Sequence, residues 1–168
     1  MSQEFCFEKH FTHVYDNNVW GGGSGGGSAP EFNQDFLPWF QRFLKEQQIS
    51  SMIDIGCGDW QWMKFINLQG IDYLGVDCVA SVQDKNRASF SAPNIVFEVA
   101  NGADMKQLDG RRRDLILLKD CIQHWPARHI FAFFDDLLTH DDWKMVLVIN
   151  SAAQRIDVTR KDVNFLPE

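Results

Sequence analysis

Apolar residues in this chain fall into short runs that alternate with stretches of helical spacing. Five runs of four to six residues are bounded by glycine, proline or polar residues. Runs of this length and composition predict buried β-strands. The predicted strands cover residues 52–55, 73–77, 95–99, 114–118 and 144–149.

Between these runs, apolar residues recur every three or four positions, which predicts helices over residues 36–48, 60–68, 82–90 and 126–139. Strands that alternate with helices predict a parallel sheet with right-handed crossovers. We therefore expect an α/β fold, a Rossmann-like sandwich with a mostly parallel, twisted sheet and helices on both faces. Ligands in such folds bind beyond the carboxyl ends of the strands.

A glycine turn follows the first predicted strand. Gly56 and Gly58 allow the backbone to turn sharply and to approach a ligand closely. We expect the helix predicted from Trp60 to direct its N-terminal N–H groups into the same crevice. Asp77 follows 19 residues after Gly58, at the end of the next strand. A glycine turn with a carboxylate at this spacing predicts a nucleoside-type cofactor, with the acid accepting hydrogen bonds from ribose hydroxyls.

Length and charge narrow the class of protein. A chain of 168 residues suffices for one domain with a substantial core. The net charge of −7 argues against nonspecific binding to nucleic acid or to an anionic membrane. We therefore expect neither as a partner.

The cysteines predict a reducing setting. Cys6, Cys57, Cys78 and Cys121 form no C-x-x-C pair, so we expect no zinc or other metal site. The sequence shows neither the layout of a signal peptide nor an apolar run of about 20 residues. These features favour a cytoplasmic location.

The glycine turn does not match the sequence motifs of two classes of nucleotide-binding protein. A dinucleotide fold typically has G-x-G-x-x-G, and Gln61 stands where the third glycine belongs. This weakens the prediction of an NAD-dependent oxidoreductase, which stays as an alternative. The G-x-x-x-x-G-K-[ST] loop of nucleoside triphosphate hydrolases is absent from the sequence.

Residues 54–60 (Asp-Ile-Gly-Cys-Gly-Asp-Trp) resemble the glycine motif of class I S-adenosylmethionine-dependent methyltransferases. Residues 73–77 resemble the second strand of that family, and residues 114–120 its fourth. More narrowly, the chain is similar to a group of small methyltransferases with three ordered motifs. These motifs are W-G…S-G-x-G-S, D-I-G-C-G-D-W-x-W and K-D-x-x-Q-H-W, and here they occupy residues 20–28, 54–62 and 119–125.

The resemblance implies S-adenosyl-L-methionine as cofactor and assigns roles to residues. Carbonyls of the glycine turn would accept from the cofactor's ammonium, and Asp54 would orient the turn or reach the ammonium through water. Asp77 would hold the ribose, Cys78 or Val79 would lie against the adenine, and Asn101 stands where the fold often has an acid. The candidate cofactor-binding residues are Asp54, Gly56, Cys57, Gly58, Asp59, Asp77, Cys78, Asn101 and Lys119.

For catalysis, the resemblance indicates transfer of a methyl group to a small-molecule acceptor. His124 is the leading candidate for a general base and Asp120 the second. A hydrogen-bonded structural role remains the alternative for His124. A noncatalytic module that binds S-adenosylmethionine or a partner is the alternative function.

The two ends of the chain raise separate questions. Residues 1–30 form an arm with a Gly/Ser run, which predicts either a native loop that acts as a lid or a flexible spacer. Residues 31–168 form the cofactor-binding domain. Only 18 residues, 151–168, follow Asn150 at the end of the fifth strand, whereas the family usually adds a helix and two strands, so we expect the fold to be either truncated or shortened. An open sheet edge would favour a homodimer or a tail that folds back.

Overall fold

The computed structural model describes residues 5–108, 113–139 and 143–150. Predictions for the tail, residues 151–168, lie outside the described residues. The five predicted strands are all confirmed, with bounds that differ by at most one residue at each end. They are β1 (Ser51–Ile55), β2 (Asp72–Asp77), β3 (Ile95–Val99), β4 (Arg113–Lys119) and β5 (Trp143–Ile149).

The strands form one parallel sheet in the order β3-β2-β1-β4-β5. The order reverses between β1 and β4, because the chain moves outward from β1 to β3 and then returns to the other side. The carboxyl ends of β1, β2 and β4 therefore meet at the edge where ligands bind in open α/β sheets. Strand β5 has one neighbour in the described sheet, and pairing of two copies along it stays a prediction.

Four α-helices accompany the sheet. The helices predicted over residues 36–48, 82–90 and 126–139 are confirmed as α2, α3 and α4. The arm adds a helix, α1, that the sequence did not predict. The bounds are α1 (Phe7–Asp16), α2 (Phe36–Glu46), α3 (Ala80–Phe90) and α4 (Ala127–Leu137). Among the described residues, no helix has both the length and the apolar character needed to span a bilayer.

Each face of the sheet carries its own core, as alternation along the strands requires. On one face, Met52 and Leu115 pack with the α2 residues Phe40 and Leu44. On the other face, residues such as Ile53 pack with the α1 residue Phe7 and the α4 residues Phe133 and Leu137. The Rossmann-like sandwich with helices on both faces is thus confirmed.

The helix predicted over residues 60–68 is wrong. Only a short 3-10 turn, Met63–Phe65, lies there. Trp60 has a positive φ of 59°, which an α-helix does not allow. Trp60, Trp62 and Met63 are all buried in one core, and this packing holds the segment as an irregular loop. The expected helix N-terminus is therefore absent from the glycine turn.

Candidate cofactor site

A cavity of about 70 Å³ lies at the carboxyl ends of β1, β2 and β4, and we call it the glycine-turn cavity. Its floor contains Gly56 and Gly58, and its roof contains aromatic side chains from the arm. Of the predicted site residues, those that line it are Gly56, Gly58, Asp77, Cys78, Asn101, Lys119, Asp120 and His124. The structure thus brings eight of the eleven candidates together. The side chains of Asp54, Cys57 and Asp59 are not among the lining groups.

Asp77 connects the end of β2 to the glycine turn. Its Oδ2 accepts a hydrogen bond from the N–H of Gly58 at 3.1 Å, and its Oδ1 accepts from the N–H of Val79 at 3.0 Å. Burial raises the pKa of this carboxyl, and the backbone N–H bonds oppose that shift. The two carboxylate oxygens have about four lone pairs between them, and backbone N–H groups of Gly58, Val79 and Cys78 act on this carboxylate, so it keeps capacity to accept from the cavity.

Asp54 lies beneath the turn rather than in the cavity. The Tyr73 hydroxyl donates to its Oδ2 at 2.8 Å, and the indole N–H of Trp60 donates to the Tyr73 hydroxyl at 2.9 Å. Burial raises the pKa of Asp54 to about 7, and the hydrogen bond from Tyr73 opposes the shift. The geometry therefore places Asp54 in a buried network that supports the turn.

The Gly/Ser run, residues 21–28, packs against the glycine turn, and we call it the Gly/Ser ribbon. The Ser24 hydroxyl accepts from the N–H of Asp59 at 2.9 Å and shares a 2.6 Å hydrogen bond with Tyr15. The N–H of Ser24 donates to Asp59 Oδ2 at 3.2 Å. A Cβ at Gly58 would lie 2.2 Å from the Ser24 hydroxyl, and Gly58 has a φ of +56°. The two segments fit only because this position has no side chain.

One atom of this network is unsatisfied. Asp59 Oδ2 also accepts from the Gln61 side chain at 2.8 Å, whereas Asp59 Oδ1 is buried and has no hydrogen-bond partner among the described residues. A buried carboxylate oxygen without a donor is costly. It is therefore a place where a bound cation or hydrogen-bond donor would stabilise the protein.

Cys57 lies on the buried side of the glycine turn, facing away from the cavity. Its sulfur is buried, and the Gln83 side-chain amide donates to it at 3.5 Å. The same Gln83 amide donates to the carbonyl of Glu98 at 2.8 Å. Cys57 therefore joins the turn to α3 and β3, away from the cavity.

Lys119 and Asp120 form a buried ion pair at the end of β4, with 2.5 Å between Lys119 Nζ and Asp120 Oδ2. Lys119 also donates to the carbonyl of Gly27 at 3.0 Å. Its ammonium lies 5.4 Å from the ring centre of Trp62 and 5.7 Å from that of Phe36. Lys119 thus anchors the Gly/Ser ribbon to the sheet, and these contacts use its donors.

His124 lines the cavity although the residue is exposed overall, and its ring lies against that of Trp20 at a centroid distance of 4.8 Å. Burial lowers its pKa, which the charge of Asp120 opposes and that of His10 reinforces. The imidazole is therefore neutral at pH 7, the form that accepts a proton.

Sequence reasoning missed that the arm forms a helix that roofs the cavity. Phe7, Phe11 and Val14 recur at helical spacing, and that signal predicts α1. The Phe7 ring meets Trp125 edge-to-face at 5.7 Å and His129 at 5.0 Å. Phe11 and Tyr15 line the cavity from the same helix.

No family model matches the sequence, and no curated protein sequence matches it either. Solved structures do resemble the fold. The methyltransferase domain of bacterial CtHen1 matches with a TM-score of 0.58 and 21% identity over 69% of this chain and 64% of that one. A methyltransferase from Anabaena variabilis, described as dependent on S-adenosylmethionine, matches with a TM-score of 0.58 and 17% identity. The match covers 80% of this chain and 57% of that one.

A third structure is magnesium protoporphyrin IX methyltransferase from Synechocystis with bound S-adenosylmethionine. It matches with a TM-score of 0.56 and 15% identity over 83% of this chain and 74% of that one. At such identities the likeness establishes the fold, a Rossmann-like sandwich that these methyltransferase structures share. The chain spans less than two thirds of the length of the CtHen1 domain and of the Anabaena protein.

Proposed function

We propose that this chain is an S-adenosylmethionine-dependent methyltransferase that acts on a small-molecule acceptor. The observation that carries the proposal is the position of Asp77. Its carboxylate lies at the end of β2, is bonded to the glycine turn and lines the cavity, in a fold shared with methyltransferases. A carboxylate placed there accepts hydrogen bonds from the two hydroxyls of a ribose.

The residues of the cavity fit this cofactor. Asp77 and Asn101 offer acceptors at the ends of β2 and β3 for a nucleoside. Asp59 Oδ1 does not line the cavity, but it lies behind the turn and the Gly/Ser ribbon as a buried acceptor without a donor, which an ammonium group could satisfy only after the ribbon moves. The described cavity contains a single lysine, Lys119, and its ammonium is already paired. This charge balance suits a zwitterionic amino-acid end better than a pyrophosphate.

When bound, S-adenosylmethionine supplies a methyl group on a positively charged sulfur, which keeps the electron pair of the broken bond. The chain's own task is alignment and exclusion of water. Where the acceptor must lose a proton, His124 is the base we propose, because it lines the cavity and is held neutral by burial. Asp120, which lines the same wall, is the second candidate.

We propose that α1 and the Gly/Ser ribbon form a lid. The cavity volume of about 70 Å³ is well below the range of roughly 300–1,000 Å³ that is typical of ligand sites. Phe11, Tyr15 and Trp20 enter it from the arm. Cofactor binding therefore requires these side chains to move outward, and their return would exclude water.

Calorimetric titration tests the proposal. We expect S-adenosylmethionine and its demethylated product, S-adenosylhomocysteine, to bind with 1:1 stoichiometry, and NAD to show no heat of binding. Binding of NAD without binding of the two sulfur compounds would contradict the proposal and favour an oxidoreductase. Binding without methyl transfer to any compound of a broad acceptor panel would favour a noncatalytic module.

A further inference from the structure

A second cavity lies beside the glycine-turn cavity, with a volume of about 570 Å³. It is enclosed by the Pro30–Asn33 turn, the first residue of α2 and the carboxyl ends of β4 and β5, and we call it the Phe32 cleft. Its volume lies within the range of sites that bind small molecules. None of the predicted cofactor contacts except Lys119 belongs to it.

The two cavities share a wall. Lys119 and Asp120 line both of them. The Gly/Ser ribbon also separates them, since Gly26 and Gly27 face the Phe32 cleft whereas Ser24 and Ser28 face the glycine-turn cavity. A molecule in the cleft is therefore separated from the other cavity by one ion pair and one strip of backbone.

The charges of the cleft are already balanced. Lys119 and Asp120 are paired with each other, and Lys119 also donates to Gly27 and faces two aromatic rings. Among the described lining residues these two are the charged ones. An anionic or cationic ligand would have to disrupt the pair, whereas a neutral ligand would not.

The remaining walls combine apolar side chains and amides. Phe32 is 80% exposed at the rim, and Phe36 and Ile149 add apolar surface. The buried Asn33 uses its two N–H groups on the carbonyls of Gly27 and Ala29, at 2.9 and 2.8 Å. Its carbonyl oxygen is left to accept a further hydrogen bond.

We propose that the Phe32 cleft binds the methyl acceptor, and that the acceptor is a neutral aromatic compound with a hydroxyl group. Phenylalanine faces favour a flat ring. Asn33 and the Asp120 carboxylate, both in the wall, accept from a hydroxyl. The inference rests on the proposed function, because the shared wall matters only if the glycine-turn cavity holds the methyl donor. Transfer requires the Gly/Ser ribbon, part of the proposed lid, to move from between the two cavities, so that the hydroxyl oxygen bonds to the methyl carbon as the sulfur–methyl bond breaks and the hydroxyl proton passes to Asp120.

Three probes that differ in charge but keep the same phenol test this inference: 4-hydroxybenzamide, 4-hydroxybenzoate and 4-hydroxybenzylamine. Their dissociation constants are measured by saturation-transfer-difference NMR on protein saturated with S-adenosylhomocysteine. We expect the neutral amide to bind at least about tenfold more tightly than the two charged probes, since one lost charged hydrogen bond is worth about that factor. Equal affinities, or a preference for a charged probe, would overturn the inference.

Variants locate the bound probe. Ile149→Trp fills the cleft, and Phe32→Ala removes an exposed ring with little risk to folding. We expect both to weaken binding of 4-hydroxybenzamide at least fivefold without changing affinity for S-adenosylhomocysteine. Phe131→Ala, an exposed phenylalanine on α4 outside the cleft, is the matched control and should change neither value. Unchanged probe affinity in Phe32→Ala and Ile149→Trp would place the acceptor elsewhere. Failure of S-adenosylhomocysteine to bind the wild type would instead contradict the proposed function.

Discussion

Aspartates at opposite ends of the sheet have opposite environments. At the amino end of β4, Asp114 accepts from the N–H and hydroxyl of Ser50 at 2.8 and 2.6 Å and pairs with Lys144. These contacts lower the pKa of Asp114, whereas burial raises the pKa of Asp54 and Asp77 near the carboxyl end. The first carboxylate is surrounded by donors and stabilises the fold. The other two carboxylates are buried, which disfavours their charged form and costs stability. Groups with such raised pKa values are common in ligand sites.

The largest effect is expected at the amino end. Asp114→Ala leaves the N–H and hydroxyl of Ser50 without their acceptor, so we expect the free energy of unfolding to fall by about 2–4 kcal/mol. Because the folded pKa of Asp114 is lowered, its stabilisation is complete above the unfolded pKa near 3.9 and is lost as the pH falls below it. Urea denaturation from pH 7 to pH 3 measures both the loss of stability in the variant and the pH dependence of the wild type. Lys144→Ala, at a mostly exposed side chain, is the control and should cost about 1 kcal/mol or less. Equal losses in both variants would contradict the assignment.

At the carboxyl end of the sheet, we expect Asp77→Ala to change the affinity for the cofactor. Loss of the ribose acceptor is expected to weaken affinity for S-adenosylhomocysteine by about 1–3 kcal/mol, measured by calorimetry. Asp72 is the matched control, because it begins the same strand and lies exposed at the opposite end. Asp72→Ala should leave affinity unchanged. If Asp77→Ala also leaves it unchanged, Asp77 is merely a turn residue.

An effect of similar size, on stability rather than on binding, is expected from Asp54→Asn, which keeps an oxygen to accept from Tyr73. The folded pKa of Asp54, about 7, is raised above its unfolded value. Its contribution to stability is therefore complete below pH 4 and is lost as the pH rises through 7. Relative to the wild type, the variant should gain about 1–3 kcal/mol of stability between pH 5 and pH 8. Parallel curves of stability against pH for the two proteins over this range would show that the pKa of Asp54 is not raised.

The smallest effect concerns His124. We expect the NMR titration of its ring protons to have a midpoint below 6.5, because burial disfavours the charged form. Asp120→Asn should lower the midpoint further, because the charge of Asp120 opposes the effect of burial. A midpoint that rises in this variant would contradict the proposed arrangement of the cavity wall.

Sequence alone was sufficient for the sheet, because five apolar runs bounded by turn residues leave few alternatives. The sequence did not predict the structure of residues 60–68, where apolar residues at helical spacing belong to a loop that packs into the core. Trp60 and Trp62 there contact aromatic residues from α2, β2 and β3, and such long-range packing leaves no mark on local spacing.

The candidate site was predictable in position but not in detail. Asp54 lies within the first apolar run and Asp77 ends the second, and only the structure shows that Asp54 supports the turn from below while Asp77 faces the cavity. The Gly/Ser ribbon resembles a synthetic spacer in composition. The contacts of Ser24 with Tyr15 and Asp59 show instead that it is an integral part of the site. The Phe32 cleft depends on residues from distant parts of the chain, so no local pattern predicts it.

A crystal structure with S-adenosylhomocysteine tests the central claim most directly. The account predicts both ribose hydroxyls within about 2.6–3.2 Å of the Asp77 carboxylate, with Phe11 and Trp20 displaced from the glycine-turn cavity. It also predicts that Asp114 keeps its contacts with Ser50 and Lys144. A ribose bound away from Asp77, or S-adenosylhomocysteine bound in the Phe32 cleft, would contradict it.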